Sequence, residues 1–226
     1  MNCDFTFEHY QQIFQNAKNN GYKIVSCLDY FLNYKKYKNQ KIFINRVDID
    51  LSCEKAKRAC EIFNELDING SFFIRLHAEE YNIFSFKNFF YLRYIKDSGN
   101  EIGLHSEIID CNKIFSYLPE YCLKKDVDIL NIILNINIKG LASHNNVNEN
   151  NNLDFWKSND PKNFNLIYEA YNPILFNNFY TSDSLVTKWK CYNSGIEITG
   201  DNRCICDHLK DNHRIVYCLT HPVQYS

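Results

Sequence analysis

The residues best suited to chemistry are two carboxylates separated by one residue and three histidines spread along the chain. Asp48 and Asp50 end one apolar run, and His105, His144 and His221 each follow an apolar run of their own. One carboxylate and two imidazoles can hold a divalent cation with a position open for water. A second carboxylate can take the water's proton, and a further histidine can protonate a leaving group. These residue types therefore fit a metal-dependent hydrolase.

Each of these features also has a simpler structural interpretation. An aspartate at a strand-to-helix turn commonly caps the helix. A histidine at the end of a strand is often a hydrogen-bonded structural residue. The catalytic hypothesis therefore depends on all of these side chains meeting at one edge of the fold.

The elements that must position them alternate along the chain between apolar runs and segments of helical period. Strands are expected over 22–27, 41–46, 71–76, 101–104, 139–143, 179–181 and 214–219. Helices are expected over 7–20, 52–66, 85–98 and 112–135, and an asparagine-rich loop over 145–152. This alternation predicts an α/β fold with a parallel sheet, open or closed into a barrel. Ligands of such folds lie at the carboxyl ends of the strands, where the sequence places Asp48, Asp50, His105, His144, Asp183 and His221.

Composition excludes several other classes of protein. The chain has 226 residues, 45% hydrophobic and 15% aromatic, which is enough apolar surface to order the chain and excludes a disordered protein. A net charge of −2 argues against a nucleic-acid partner. Only seven glycines and four prolines are present, and no linker divides the sequence, so a single domain over 1–226 is expected.

The ten cysteines predict a reducing compartment rather than a disulfide framework. The start of the chain lacks the basic and apolar segments of a signal peptide, and no apolar run is long enough to span a membrane. We therefore expect a cytoplasmic protein with free, mostly buried thiols. Cys204, Cys206, His208 and His213 form a second possible metal site, the alternative being a strand with alternate buried thiols.

Three segments resemble motifs of the polysaccharide deacetylase family with NodB homology. Residues 46–52, with 60–63 and 68–73, resemble the family's first motif and first helix. Residues 99–107 (GNEIGLHSE) resemble its second motif, and 219–222 (LTHP) its last, histidine-bearing motif. The resemblance runs from Arg46 to the end of the chain, and the first 40 residues lie outside it.

The resemblance implies a distorted (β/α) barrel and a metal-dependent hydrolase that removes an N-acyl group, expected to be N-acetyl, from a sugar. Carried over by position, Asp48 is the catalytic base, Asp50 and His105 are metal ligands, and His221 is the general acid. Zinc is the expected divalent ion. Without an export signal, the expected substrate is a small or lipid-linked glycan precursor rather than a finished polymer.

One position departs from the family pattern. The second motif normally supplies two histidines four residues apart, and here the second falls on Ile109, which cannot bind a metal. His144 is the candidate replacement and Glu107 the runner-up. Two alternatives stay open: a barrel that has lost its metal and serves as a binding or scaffold protein, and a hydrolase of another amide, such as a formamide.

Supporting roles are expected for five further residues. Arg46 or Arg75 is expected to orient Asp48, or else to form a structural ion pair. Asp183 is expected to hold His221 in its working tautomer, or else to cap a turn. His77 and Trp189 are expected to help form a sugar pocket.

Overall fold

The computed structural model describes residues 3–145, 151–184 and 188–226. The α-helices of these ranges are α1 Phe7–Asn19, α2 Cys27–Asn33, α3 Cys53–Glu65, α4 Phe86–Asp97, α5 Ile108–Phe115, α6 Pro119–Leu134, α7 Pro173–Phe176 and α8 Ile205–His208. The strands are β1 Lys23–Val25, β2 Ile42–Ile49, β3 Ser71–Arg75, β4 Glu101–Ser106, β5 Gly140–Ser143, β6 Tyr168–Glu169, β7 Phe179–Ser182, β8 Lys190–Asn193, β9 Ile196–Glu197 and β10 Ile215–Thr220.

These strands form one large sheet in the order β6-β5-β4-β3-β2-β10-β7-β8-β9, with β1 beside the first half of β2. Every pairing from β6 to β7 is parallel, whereas β8 and β9 are antiparallel additions. The predicted mixed α/β fold with a parallel sheet is confirmed. The pairings of the described residues run in a line from β6 to β9, so closure into a barrel stays a prediction.

The central strand β2 is buried along its whole length, and its residues alternate between two apolar clusters. Phe43, Val47 and Ile49 pack in the cluster that includes the helices, while Ile42 and Ile44 pack in the inner cluster. Because side chains alternate across a strand, residues 46 and 48 share the face of Ile42 and Ile44. The sequence thus places an arginine and an aspartate on the inner face of a buried strand.

The differences from the predicted elements have local causes. The helix expected over 112–135 is two helices, since Ser116 is left-handed (φ 57°) and Pro119 begins α6. Helix α2 and the hairpin of β8 and β9 were not predicted. The hairpin turns at Ser194 and Gly195, which both have positive φ. Of the predicted loop over 145–152, residues 146–150 lie outside the described residues, and a 3-10 helix begins at Asn152.

None of the helices within residues 3–145, 151–184 and 188–226 combines the length and the hydropathy needed to cross a bilayer.

Two glycines allow aromatic rings to lie against the sheet. A Cβ added at Gly103 on β4 would lie 2.5 Å from the ring of Phe73, and one added at Gly140 on β5 would overlap the ring of Tyr168. Tyr168 in turn donates a hydrogen bond from its hydroxyl to Glu101 (2.5 Å). The absence of a side chain at these two positions therefore sets the packing of the inner face.

We expect Gly140→Ala to lower the free energy of unfolding by about 1–3 kcal/mol, because the new methyl group overpacks a filled interior. In a Tyr168→Leu background the atoms that would clash are gone, so the same substitution should cost less. Urea unfolding of the four proteins measures both costs. An equal cost in the two backgrounds would contradict the steric explanation.

Candidate metal and catalytic site

A buried ion pair on β2 forms the base of the site. Arg46 Nε and Nη2 donate to the two carboxylate oxygens of Asp48, at 2.9 and 2.7 Å. The guanidinium also lies over the rings of Tyr171 and Phe73, 4.8 and 5.5 Å from their centroids. Burial alone would raise the pKa of Asp48, but the Arg46 charge, with help from His105, lowers it below its ordinary value. Asp48 is therefore held ionised and fixed in orientation.

Asp50 and His105 meet just above this pair. His105 Nδ1 lies 2.9 Å from the carbonyl oxygen of Ala142, which fixes its proton on Nδ1 and leaves a lone pair on Nε2. Nε2 lies 3.2 Å from Asp50 Oδ1 and 3.3 Å from Asp48 Oδ2. Asp50 Oδ1 is buried and has no hydrogen-bond partner among the described residues. This orphaned oxygen beside an imidazole lone pair is the arrangement expected of two ligands that share a cation.

The electrostatic potential at this point also favours a cation. Burial lowers the pKa of His105, but the neighbouring Asp48 and Asp50 raise it above its ordinary value. Burial likewise raises the pKa of Asp50, and His105 and His221 lower it well below the ordinary value. The negative potential that favours a proton on His105 also favours a divalent cation in its place.

His144 enters the site from the end of β5. Its backbone N–H donates to Ser106 (2.9 Å), and its ring stands edge-on to His105 with centroids 4.9 Å apart. Ligand atoms of Asp50, His105 and His144 all lie within 4.8 Å of one another. A carboxylate and two imidazoles are a ligand set for zinc and related divalent ions, with room for water or substrate. The residues present therefore fit a divalent metal.

The other candidate ligand, Glu107, lies behind His144. Arg75 Nε and Nη2 donate to Glu107 Oε1 at 2.9 and 2.8 Å, and the same oxygen lies 3.4 Å from His144 Nδ1. Burial would raise the pKa of Glu107, but His144 and Arg75 lower it to about 2. A carboxylate beside a histidine ligand fixes the orientation of the imidazole. Arg75 thus orients Glu107, not Asp48, whose partner is Arg46.

Ile109 lies away from these ligands. Its side chain packs against the apolar core, and its backbone N–H donates to Asn152 Oδ1 (2.8 Å). The ring of His144 occupies the place beside His105 instead. A histidine from a different strand, β5, therefore lies where a third ligand could bind.

On the opposite side of the site, β10 ends at His221, which is fixed by Asp183 from the end of β7. Nδ1 of His221 lies 2.5 Å from Asp183 Oδ1, and its backbone N–H donates to both oxygens of that carboxylate (3.1 and 2.9 Å). Nε2 lies 3.7 Å from Asp50 Oδ2. Burial lowers the pKa of His221, but the Asp183 charge raises it to about 9. The histidine is thus protonated at neutral pH.

These groups open onto a cavity of about 640 Å³. Asp48, Asp50, His105, His144 and His221 all line it. The rest of its wall combines aromatic and polar side chains, including Tyr171, Phe176, Tyr180, Ser182, Lys190 and Tyr192. The volume is that of a site for a small molecule or one sugar unit of a larger one.

Two residues predicted for the sugar pocket lie elsewhere. Trp189 is fully buried, stacks on Phe5 and donates from Nε1 to Cys3 Sγ (3.4 Å). His77 Nε2 lies 2.9 Å from Asp126. Neither Trp189 nor His77 lines the cavity. The aromatic wall comes instead from the stretch of chain between β6 and β8. Its strands are only two to four residues long, too short for their position to be recognised from hydrophobic periodicity.

Comparison with known proteins gives only a distant structural likeness. No family model and no curated protein matches this chain. Among solved structures, it is similar to "Streptococcus pyogenes deacetylase PplD in complex with acetate", with 15% sequence identity and a TM-score of 0.47. The match covers 65% of this chain and 66% of that one. A likeness this slight says nothing about activity, so function must be argued from the site itself.

We expect Arg46→Met to lower the free energy of unfolding by about 3–5 kcal/mol, because it leaves the buried Asp48 carboxylate without a partner. Adding Asp48→Asn removes that charge and should recover part of the loss. Urea unfolding of the single and double variants gives the coupling. A double variant whose loss equals the sum of the two single losses would contradict a coupled pair.

If His144 is a ligand and Glu107 only orients it, we expect His144→Ala to weaken zinc binding more than Glu107→Gln does. For Glu107→Gln the loss should be about 10–100-fold. Ile109→Ala, at the position where the family motif has its histidine, is the matched control and should leave affinity unchanged. Titration calorimetry with zinc measures all three, and unchanged affinity in His144→Ala would rule out this ligand set.

Proposed function

We propose that this protein is a metal-dependent hydrolase that removes an N-acyl group, N-acetyl in the first instance, from a sugar or glycan precursor. The observation that carries the proposal is the cluster of Asp50, His105 and His144, whose ligand atoms lie within 4.8 Å of one another. Asp48 and His221 flank that cluster and line the same cavity. The motif resemblance of the sequence points to the same chemistry.

Asp50, His105 and His144 would hold the divalent ion, for which zinc is the first choice to test. Bound there, such an ion polarises an amide carbonyl and lowers the pKa of water. His105 is prepared for this role because its Nδ1 proton is committed to Ala142 and its Nε2 is free to bind. His144 is prepared by the Glu107 carboxylate beside it.

Asp48 acts as the base that takes the proton of the attacking water. Its two hydrogen bonds from Arg46 keep it ionised and leave its position fixed, so it accepts a proton without having to reorient. The nearby Arg46 charge keeps the pKa of Asp48 low, so Asp48 holds the accepted proton only weakly. Once the amide bond has broken, Asp48 can give this proton up through solvent to His221 Nε2, which by then has given its own proton to the amine, so that both groups return to their starting proton states.

His221 acts as the acid that protonates the departing amine. Asp183 holds the imidazole through Nδ1, so the Nε2 proton is the one available on the cavity side. The raised pKa, about 9, keeps that proton in place at neutral pH. Asp48 and His221 thus have opposite proton states, as the two steps of amide hydrolysis require.

The cavity wall supports a sugar as the substrate. Tyr171, Phe176, Tyr180 and Tyr192 offer apolar ring faces suited to a pyranose, and Ser182 and Lys190 offer groups that can bond its hydroxyls. A volume of about 640 Å³ suits a monosaccharide unit, free or carried on a nucleotide or lipid. The small or lipid-linked precursor expected from the sequence is therefore part of the proposal.

The inactive-barrel alternative rested on Ile109, and the position of His144 beside His105 favours the hydrolase over it. A scaffold that had lost its metal would have no need for Glu107 and Arg75 to be fixed behind His144, or for Asp183 behind His221. No feature of the described residues favours a formamide or a cyclic amide over an N-acetyl group, so those substrates serve as comparisons in the assay.

The test is release of acetate from a panel of N-acetylated monosaccharides, nucleotide sugars and lipid-linked sugars by the zinc-loaded protein. We expect Asp48→Asn and His221→Ala each to lower kcat by about 10²–10⁴-fold. Asp183→Asn should also lower kcat, because the imidazole loses its fixed orientation. His77→Asn, a histidine outside the cavity, is the matched control and should retain full activity.

Two results would count against the proposal. Acetate release that survives both Asp48→Asn and His221→Ala would place the chemistry elsewhere. No acetate release from any member of the panel, by protein that carries metal at Asp50, His105 and His144, would show that the substrate is not an N-acetyl sugar.

A further inference from the structure

A second cluster of metal-binding side chains lies where the N-terminal segment meets α8. It consists of three thiols and one imidazole, from Cys3, His9, Cys204 and Cys206. His9 Nε2 lies 3.2 Å from Cys204 Sγ, and ligand atoms of Cys3, His9 and Cys204 all lie within 4.8 Å of one another. Cys206 is outside that group of three but lies beside it, since its backbone N–H is 3.5 Å from Cys204 Sγ. None of the four lines the cavity described above.

The fold builds this cluster from opposite ends of the chain. Thr6 caps α1 by accepting from the backbone N–H of His9, which places the imidazole in the first turn of that helix. Cys204 precedes α8 and Cys206 lies within it, so the expected strand with alternate buried thiols is not formed. Residues nearly 200 positions apart in sequence, 195 for the His9–Cys204 contact, thus converge on one point.

The sulfur atoms of the cluster accept hydrogen bonds, unlike those of thiols that only pack in an apolar core. Trp189 Nε1 donates to Cys3 Sγ and Asn16 Nδ2 donates to Cys206 Sγ, both at 3.4 Å. The backbone N–H of Cys206 approaches Cys204 Sγ at 3.5 Å. Donors directed at sulfur stabilise thiolates, which are the form that binds metals. All ten cysteines are free, so no disulfide accounts for the cluster.

We propose that Cys3, His9, Cys204 and Cys206 bind one zinc ion in a closed, four-ligand structural site. Three sulfurs and one imidazole nitrogen are a set that structural zinc sites use, and soft ligands favour zinc over magnesium or calcium. With four protein ligands, no position is open for water, so this ion has no part in hydrolysis. Its role is to fasten the start of the chain to the segment that leads into β10.

This site differs from the one suggested by sequence spacing alone. His208 lies in another cluster, 3.4 Å from Cys191 Sγ and 3.5 Å from Asp201. His213 stacks on the ring of Phe179, with centroids 3.9 Å apart. Cys204 and Cys206 therefore take their histidine from α1 rather than from their neighbours in sequence.

The test uses the full chain, purified under reducing conditions and loaded with zinc or cobalt. The variant Asp50→Asn/His105→Ala removes ligands of the cavity site, and we expect it still to hold one equivalent of zinc. Loaded with cobalt, it should show an intense thiolate-to-cobalt charge-transfer band, which a site of carboxylate and imidazole ligands cannot give. Both signals should be unaffected if the hydrolase proposal fails, because they do not depend on the cavity.

In that background, Cys3→Ser and Cys204→Ser should each lose the zinc equivalent and the cobalt band. Cys3 is only partly buried, so Cys3→Ser is the variant expected to fold even if Cys204→Ser does not. Cys53→Ser, at a buried thiol on α3, is the matched control and should keep both signals. A chelator should lower the Tm of the parent but not that of Cys3→Ser.

Three results would overturn the proposal. The first is a full zinc equivalent retained by Cys3→Ser/Cys204→Ser in the same background. The second is cobalt-loaded protein without the thiolate band. The third is a disulfide between two of Cys3, Cys204 and Cys206 in protein prepared without reductant, together with no zinc in the reduced form.

Discussion

The ion pair between Arg46 and Asp48 is the constraint on which the rest of the structure depends. A guanidinium and a carboxylate on the inner face of a fully buried strand are tolerated only if they neutralise each other and the surrounding groups satisfy them. The rings of Tyr171 and Phe73 cover the guanidinium, and both Asp48 oxygens are bonded. Phe73 finds room because Gly103 on the next strand has no side chain. The inner face is thus shaped around one charged pair.

Charge balance explains why a cation fits at Asp50. Asp48 is paired with Arg46, Glu107 with Arg75, and Asp183 with His221. Asp50 instead faces His105 and has a buried oxygen without a hydrogen bond among the described residues. When His105 is neutral, as a metal ligand must be, Asp50 is the carboxylate among these four without a cationic partner of its own. A divalent ion there would supply that partner.

The ends of the central strands could be predicted from the sequence because a buried parallel strand is a continuous apolar run. The residues that follow adjacent parallel strands lie at the same edge of the sheet. His144 could be proposed for that reason, although nothing in its own segment distinguishes it. The partners of Arg75, His77 and Trp189 could not be predicted, since each is set by a contact across the fold. The same holds for the thiols: Cys204 and Cys206 are close in sequence to His208, yet their imidazole neighbour is His9.

The first 40 residues, which lie outside the recognisable motifs, support the site directly. Strand β1 pairs with β2 over residues 42–44, and this pairing ends two residues before Arg46. Tyr10 on α1 shares a hydrogen bond with Thr220 (3.0 Å), the residue before His221, and its ring packs on Tyr225 with centroids 4.6 Å apart. Phe5 and Phe7 exchange backbone hydrogen bonds with Ser226. Because β10 presents His221, an anchor between Cys3, His9 and α8 would hold in place the strand that carries the proposed acid. The N-terminal segment therefore helps to position the strands that carry the proposed site, although none of its described residues lines the cavity.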